Sequence, residues 1–229
     1  MQETLQIIEH TITKGKQLHH VVVNAGKIVF MQKDLKLRKS VNESDLINAD
    51  GQAVVWASKV LGKPLKERVA GIDLMGNLVE LAYKNNYKIF FFGAKKEIVS
   101  KVVKKYKTNY SNDIIAGYRD GYFNKEEEQD IAKQISESGA NILFVAMPSP
   151  KKETFLSENK HLLKNVNLIM GVGGSFDVIS GATKRAPLWM QNNGLEWLFR
   201  FIQEPRRMFK RYFIGNIKFI LLVIKEFFK

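Results

Sequence analysis

Short apolar runs alternate with longer amphipathic segments along this sequence, and that order restricts the fold more than any other feature. Each run closes on or near asparagine, glycine or proline, which is typical of a buried strand that meets a loop. The runs lie at 21–23, 87–92, 141–145 and 166–170. The amphipathic segments lie at 73–84, 95–107, 125–137 and 150–163. The alternation predicts an α/β, Rossmann-like fold with a mainly parallel sheet and helices on both faces.

Composition excludes several kinds of site. Apolar residues make up 45% of the 229 residues, which is enough for a large core. The sequence has no cysteine, so disulfides, thiolate metal sites and iron–sulfur clusters are excluded. Its four histidines show no ligand spacing beyond the adjacent His19 and His20. We therefore expect no metal site and no cofactor.

Positive charge is concentrated in the C-terminal segment. Residues 200–229 contain eight basic and two acidic side chains, which contribute +6 of the net charge of +13. Large apolar side chains are interleaved with them at helical spacing. This pattern has three interpretations: a helix on an anionic membrane surface, a terminal helix with its aromatic residues in the core, or a nucleic-acid-binding face. The nearly continuous apolar stretch 217–224 favours lipid over nucleic acid.

The same segment sets the expected domain organisation and location. We expect an α/β domain at 1–195 and a basic, amphipathic, membrane-associating helical appendage at 196–229. The N-terminus lacks the pattern of a secretory signal, and the longest unbroken apolar stretch, 219–224, is far shorter than the roughly 20 residues of a spanning helix. We therefore expect a cytoplasmic protein that is peripheral on the inner face of the cell membrane. An exposed apolar helix also favours self-association.

The loops after the predicted strands are the candidate ligand-binding positions, because ligands of parallel α/β sheets bind beyond the carboxyl ends of the strands. These loops contain Asn24, Gly93, 147–150 and 171–175. The glycine turn 171–177 fails the dinucleotide fingerprint, since Phe176 stands where the third glycine would be. The turn either holds an anion with its backbone amides or is a tight turn without a ligand.

Two phosphate-binding motifs are missing from the sequence. It contains no P-loop and no Asp-x-Asp pair, by which many sugar-nucleotide enzymes hold a divalent metal on a diphosphate. If the protein binds a diphosphate, arginine and lysine must replace the metal.

Several segments, taken in order, resemble the bacterial WecG/TagA/CpsF glycosyltransferase family. Each alone could be a turn, a helix cap or a surface loop, but together they span about residues 20 to 215. The matching segments are Asn24, Asp50-Gly51, 68–75, Phe92-Gly93, 121–123, 149–153, 171–177, 184–191, 194–197 and 204–207.

The resemblance implies an activity. Members transfer an N-acetylmannosamine-type or related sugar from a UDP-sugar to a polyprenyl-diphosphate-linked sugar in the synthesis of teichoic acid and other cell-surface polysaccharides. They invert the anomeric centre and need no divalent metal. The implied partners are thus the UDP-sugar donor, the lipid-linked acceptor and an anionic membrane surface, and no nucleic acid.

The resemblance also implies roles for individual residues. Asp50 matches the proposed catalytic base, which takes a proton from the acceptor hydroxyl. Arg68 matches a phosphate-binding position, and Asn24 fits contact with a sugar. Further residues are expected to bind substrate at the strand ends, at the glycine turn or from the tail that folds over the site. These are Gly93, Lys152, Gly173, Gly174, Arg206, Arg207 and Arg211.

Two residues depart from the family pattern, and both lie in the predicted pocket. Val22 stands where the family often has threonine, and Lys152 stands where it usually has glutamine. These departures leave the identity of the sugars open. The alternative from another class is a non-catalytic basic module that binds anionic lipid or nucleic acid. A nicotinamide-dependent enzyme is disfavoured by Phe176.

Overall fold

The computed structural model describes residues 1–209 and 213–228. Within them, six strands form one sheet. The strands are β1 (Leu18–Val23), β2 (Leu46–Ala49), β3 (Ile89–Gly93), β4 (Ile115–Arg119), β5 (Ile142–Ala146) and β6 (Leu168–Gly171). Their order across the sheet is β2-β1-β6-β5-β3-β4, and the sheet is parallel and flanked by helices. The predicted α/β fold is therefore confirmed.

Thirteen α-helices lie in the same described part of the chain. Before β3 they are α1 (Gln2–Thr13), α2 (Ala25–Met31), α3 (Leu35–Asn42), α4 (Gln52–Val60) and α5 (Gly71–Lys84). Between β3 and β6 they are α6 (Lys96–Asn109), α7 (Glu128–Glu137) and α8 (Lys151–Glu158). After β6 they are α9 (Ser175–Ile179), α10 (Leu188–Asn192), α11 (Glu196–Gln203), α12 (Pro205–Phe209) and α13 (Gly215–Phe227).

Local sequence explains where two of these helices begin. Asn24 caps α2, because its side chain accepts a hydrogen bond from the backbone of Lys27. Asn124 and Glu127 form a capping box on the 3-10 turn that leads into α7, as the asparagine before an acidic first turn predicts.

The chain divides into two compact units. The first comprises Met1–Val21, Lys39–Ile47 and Gly71–Thr183, and the second comprises Val22–Arg38, Asn48–Ala70 and Lys184–Lys229. The chain passes from the first unit to the second near the carboxyl ends of β1 and β2. The expected boundary at residue 195 lies inside the last segment of the second unit, and the assignment of 196–229 to the membrane stays a prediction.

The core of the first unit is built on its central strands. All side chains of β3, β5 and β6 are buried. Phe90 and Phe92 pack on one face with Leu143 and Val145. Phe91 lies on the opposite face, where its ring centroid is 5.8 Å from that of Phe144. Because both faces are buried, these strands are continuous apolar runs.

The second unit has a smaller core that includes the C-terminal helix. Phe219 of α13 is buried together with Ala25, Val54 and Val55. The opposite face of α13 is exposed and apolar, with Ile217, Ile220, Leu221 and Ile224, and the exposed Phe228 follows the helix. One face of α13 therefore lies in a core, as the second interpretation of the tail predicts, and the other face is exposed. Membrane binding by the exposed face stays a prediction. In residues 1–209 and 213–228, no helix combines the length and apolar character needed to cross a bilayer.

Candidate functional site

Two predicted site residues, Asn24 and Asp50, lie side by side in the second unit. They follow β1 and β2, and the backbone N–H of Asp50 donates to the carbonyl oxygen of Val23 at 2.9 Å. A Cβ atom added to Gly51 would lie 3.3 Å from the Cβ of Asn24, so the turn packs tightly on the asparagine. The Oδ1 atom of Asn24 accepts from Lys27, at 3.0 Å, which fixes the orientation of its carboxamide.

Arg68 lies beside the end of β2 in the same unit. The backbone N–H of Val69 donates to the carbonyl oxygen of Ala49 at 2.9 Å. This hydrogen bond therefore joins the residue after Arg68 to the residue before Asp50. The structure brings together the predicted base, the predicted phosphate-binding arginine and Asn24.

Arg68 is part of an ion-pair triad. Its Nη2 atom donates to Oε2 of Glu196 at 2.8 Å, and Nε of Arg185 donates to Oε1 of the same carboxylate at 3.3 Å. The side chains of Arg68, Glu196 and Arg185 are only 15%, 22% and 26% exposed. We call this group the Arg68–Glu196–Arg185 triad. Sequence reasoning placed Arg185 and Glu196 in family-like segments but singled out neither.

A glycine turn positions Glu196. Gly194 has a φ of +71°, a left-handed conformation that favours glycine, and it precedes α11 by two residues. A Cβ atom on Gly194 would lie 3.0 Å from Cγ of Gln52. The turn therefore packs against the start of α4, two residues after Asp50, and Glu196 begins α11 close to it.

The other predicted site residues belong to the first unit, and Gly93 is at the end of β3. Its φ is +121°, and an added Cβ would lie 2.5 Å from the carbonyl oxygen of Ala146. The next residue, Ala94, donates its N–H to that oxygen and accepts from the N–H of Gly121, at 2.9 and 2.8 Å. Gly93 thus has a conformational requirement, and its contact with substrate stays a prediction.

Lys152, in the first turn of α8, is buried against the end of β6. Its Nζ atom lies 3.4 Å from Oε1 of Glu153, which also accepts from Oγ of Ser149 at 2.8 Å. A Cβ atom on Gly171 would lie 2.6 Å from Cε of Lys152, so the lysine side chain crosses the glycine directly. Lys152, which stands where the family usually has glutamine, therefore forms a buried ion pair with Glu153 at a strand end. Ligands of parallel sheets bind at such strand ends.

The glycine turn after β6 leads into α9. Gly173 has a φ of +52°, and Gly174 is the N-cap residue of this five-residue helix. Phe176 is fully buried, with its ring centroid 5.9 Å from that of Phe91. The residue in place of the third fingerprint glycine is thus a core residue. Nucleotide contact by Gly173 and Gly174 stays a prediction.

The predicted tail arginines are described only in part. Arg206 is exposed on α12, and Arg207 belongs to the same helix. Arg211 lies outside the described residues. Across the described residues, no three histidine, aspartate or glutamate side chains are grouped so that they could hold a metal ion.

Comparison with known proteins agrees with the resemblance found in the sequence. The family model described as glycosyl transferase WecG/TagA/CpsF matches residues 1–229. An N-acetylglucosaminyldiphosphoundecaprenol N-acetyl-β-D-mannosaminyltransferase of Bacillus subtilis (strain 168) is 40% identical over 186 residues, which are 81% of this chain and 71% of the relative. The protein of the same name from Bacillus spizizenii is 36% identical over 186 residues, 81% of this chain and 70% of the relative.

Proposed function

The chain is a member of the WecG/TagA/CpsF glycosyltransferase family, and from this premise we propose that it transfers an N-acetylmannosamine-type sugar from a UDP-sugar to a polyprenyl-diphosphate-linked sugar. Two relatives carry the name of an enzyme that transfers N-acetylmannosamine to N-acetylglucosaminyldiphosphoundecaprenol. The resemblance supplies the UDP donor. Membership of an enzyme family leaves a non-catalytic basic module without support.

The position of Asp50 carries this proposal. The carboxylate takes the proton of an acceptor hydroxyl while that oxygen forms a bond to C1 of the donor sugar. The bond between C1 and the UDP oxygen breaks, its electron pair leaves with UDP, and the anomeric centre inverts. The supporting observation is that Asp50 lies beyond a strand end beside Asn24. The Oδ1 atom of Asn24 is engaged by Lys27, so its Nδ2 amide is the group that would donate to a sugar.

Cationic side chains stabilise the charge on the leaving diphosphate. Arg68 is well suited to this task, because a guanidinium offers several donors in one plane. Arg206, Arg207 and Arg211 would add charge from the tail. The remaining residues that the family resemblance assigns to substrate binding are Gly93, Lys152, Gly173 and Gly174. With these cations the reaction needs no divalent metal.

The outward face of α13 would hold the enzyme at the inner face of the cell membrane, where a polyprenyl-linked acceptor is anchored. Its exposed isoleucine and phenylalanine side chains are flanked by Lys218 and Lys225. This combination is typical of a helix that lies in the interface of an anionic membrane.

Direct assay of sugar transfer tests the proposed function. The full chain is incubated with a panel of UDP-sugars and a short-chain lipid diphosphate N-acetylglucosamine, and UDP release and product mass are measured. We expect release that depends on the acceptor, is fastest with UDP-N-acetylmannosamine and persists in EDTA. Release without acceptor, or with no UDP-sugar of the panel, would contradict the proposed reaction. Strict dependence on Mg²⁺ would contradict the role assigned to arginine.

A further inference from the structure

We propose that Arg185 is a second diphosphate-binding cation and that Glu196 is a positioning residue that holds Arg185 and Arg68 together for this task. The identity of the ligand rests on the proposed function. The placement of the three side chains rests on the triad itself, which joins Arg68 to a carboxylate 128 residues away.

The geometry of the triad fixes both guanidinium groups. Each oxygen of the Glu196 carboxylate accepts from a different arginine, at 2.8 and 3.3 Å. Charge-assisted hydrogen bonds of this kind are stronger and more directional than neutral ones. Two flexible side chains are therefore held next to each other by a common acceptor, and neither has to be ordered when an anion binds.

The charge of the triad favours an additional anion. Two guanidinium groups and one carboxylate give a formal charge of +1, and all three side chains are largely shielded from water. Where little water is present, two neighbouring guanidinium groups attract an anion more strongly than they would at a fully exposed site. A guanidinium has five N–H donors, and within the described part of the chain Glu196 takes one of those on Arg68.

The position of the triad fits the departing diphosphate. Arg68 directly precedes Val69, whose backbone N–H donates to Ala49, the residue before Asp50. Gly194, which precedes α11, packs against Gln52. All these residues belong to the second unit. The proposed base and the proposed cation pair are therefore supported by the same few loops.

Binding of inorganic pyrophosphate and of UDP to the full chain tests the proposal. The variants are Arg185→Ala, Arg185→Lys and Glu196→Gln, with Glu80→Gln as a matched control that breaks an exposed pair with Lys84. For Arg185→Ala we expect the Kd for pyrophosphate and the KM for the donor to rise about tenfold, with a nearly unchanged melting temperature. Arg185→Lys should restore part of the affinity, because it restores the charge without the planar donors.

The Glu196 variant separates positioning from charge. Glu196→Gln makes the site more positive, so a purely electrostatic role predicts tighter binding of pyrophosphate. A positioning role predicts weaker binding, since the two guanidinium groups lose their common acceptor. Tighter binding by Glu196→Gln would overturn the proposal. So would variants that lower the melting temperature but leave the pyrophosphate Kd within about twofold of the wild type.

The proposal and the proposed function fail in different ways. If the wild type transfers no sugar, the proposed function is wrong, while loss of pyrophosphate binding in Arg185→Ala would still support the triad as an anion site. If the wild type transfers sugar and Arg185→Ala binds pyrophosphate normally, the triad proposal alone is wrong.

Discussion

The backbone N–H of Asp50 donates a hydrogen bond to the carbonyl oxygen of Val23 at 2.9 Å. This bond ties the loop after β2 to the loop after β1 and places Asp50 next to Asn24. The main chain thereby holds the residue that carries the proposed base, and this bond does not depend on the Asp50 side chain.

Substitution of Asp50 should abolish transfer without unfolding the protein. We expect Asp50→Ala and Asp50→Asn to lower kcat by about 10²–10⁴-fold, the range that a general base contributes. Initial rates of UDP release and thermal unfolding would be measured together. Asp130→Asn is the matched control, because Asp130 is an exposed aspartate on α7. Retention of more than about a tenth of the wild-type rate would remove Asp50 as the base.

Gly93 should be far less replaceable than Gly139. An alanine at Gly93 must adopt a φ of +121° and would bring its Cβ to 2.5 Å from a backbone oxygen. Gly139 also has a positive φ, +73°, but nothing lies within 4 Å of an added Cβ. We expect Gly139→Ala to lower the free energy of unfolding by about 1–2 kcal/mol and Gly93→Ala by about 3 kcal/mol or more. Urea unfolding measures both, and equal losses would contradict the steric argument.

The sequence predicted the buried strands and not the edge strands. The runs at 87–92, 141–145 and 166–170 correspond to β3, β5 and β6, which are buried on both faces. Sequence reasoning missed β2 and β4, which lie at the two edges of the sheet. Their residues are mostly half-exposed, with Asn48 in β2 and Arg119 in β4, so neither forms an apolar run. Edge strands lack the signal that burial imposes on composition.

The candidate site was predictable where it depends on strand ends. Asn24, Gly93 and the glycine turn follow strands that an apolar run reveals. The pairing of Arg68 with Glu196 could not be predicted from the sequence, because a contact between residues 128 positions apart depends on the packing of α11. The burial of Lys152 was also hidden, since lysine is rarely buried and its local sequence is that of an exposed helix start.

The outward face of α13 should be needed for membrane binding. Deletion of residues 196–229 would also remove Phe219 from the core of the second unit, so point substitutions are the cleaner test. We expect the double variant Ile220→Ser, Ile224→Ser to reduce sedimentation with phosphatidylglycerol vesicles by about tenfold or more. Burial of each isoleucine side chain in the membrane would contribute about 1.5–3 kcal/mol to the free energy of binding. Stability should change by less than about 0.5 kcal/mol per site.

Ile7→Ser is the matched control for this experiment, since Ile7 is an exposed isoleucine on α1 in the first unit. Unchanged sedimentation of the double variant would contradict the membrane prediction. A change from oligomer to monomer in the double variant, with vesicle binding intact, would assign the same face to self-association.

Burial of His19 should make the protein less stable in mild acid. Burial lowers the pKa of this side chain from 6.5 to about 4, although Asp45 and Glu153 oppose the shift, and Lys160 and Lys152 reinforce it. As the pH falls from 6.5 to 4, the unfolded chain binds a proton at this histidine and the folded protein does not. The stability that the neutral form contributes is therefore complete above pH 6.5 and is lost as the pH falls through this window, at up to about 1.4 kcal/mol per pH unit.

Urea unfolding at a series of pH values would detect this contribution. We expect His19→Asn to flatten the pH dependence of stability between pH 6.5 and 4, while the backbone N–H of residue 19 can still donate to Asp45, as it does at 2.7 Å in the wild type. His161→Asn, the same substitution at an exposed histidine, is the control for the change of residue type. The quantity to compare is the difference between the slopes of His19→Asn and His161→Asn. Equal slopes would mean that His19 is protonated as readily in the folded protein as in the unfolded chain.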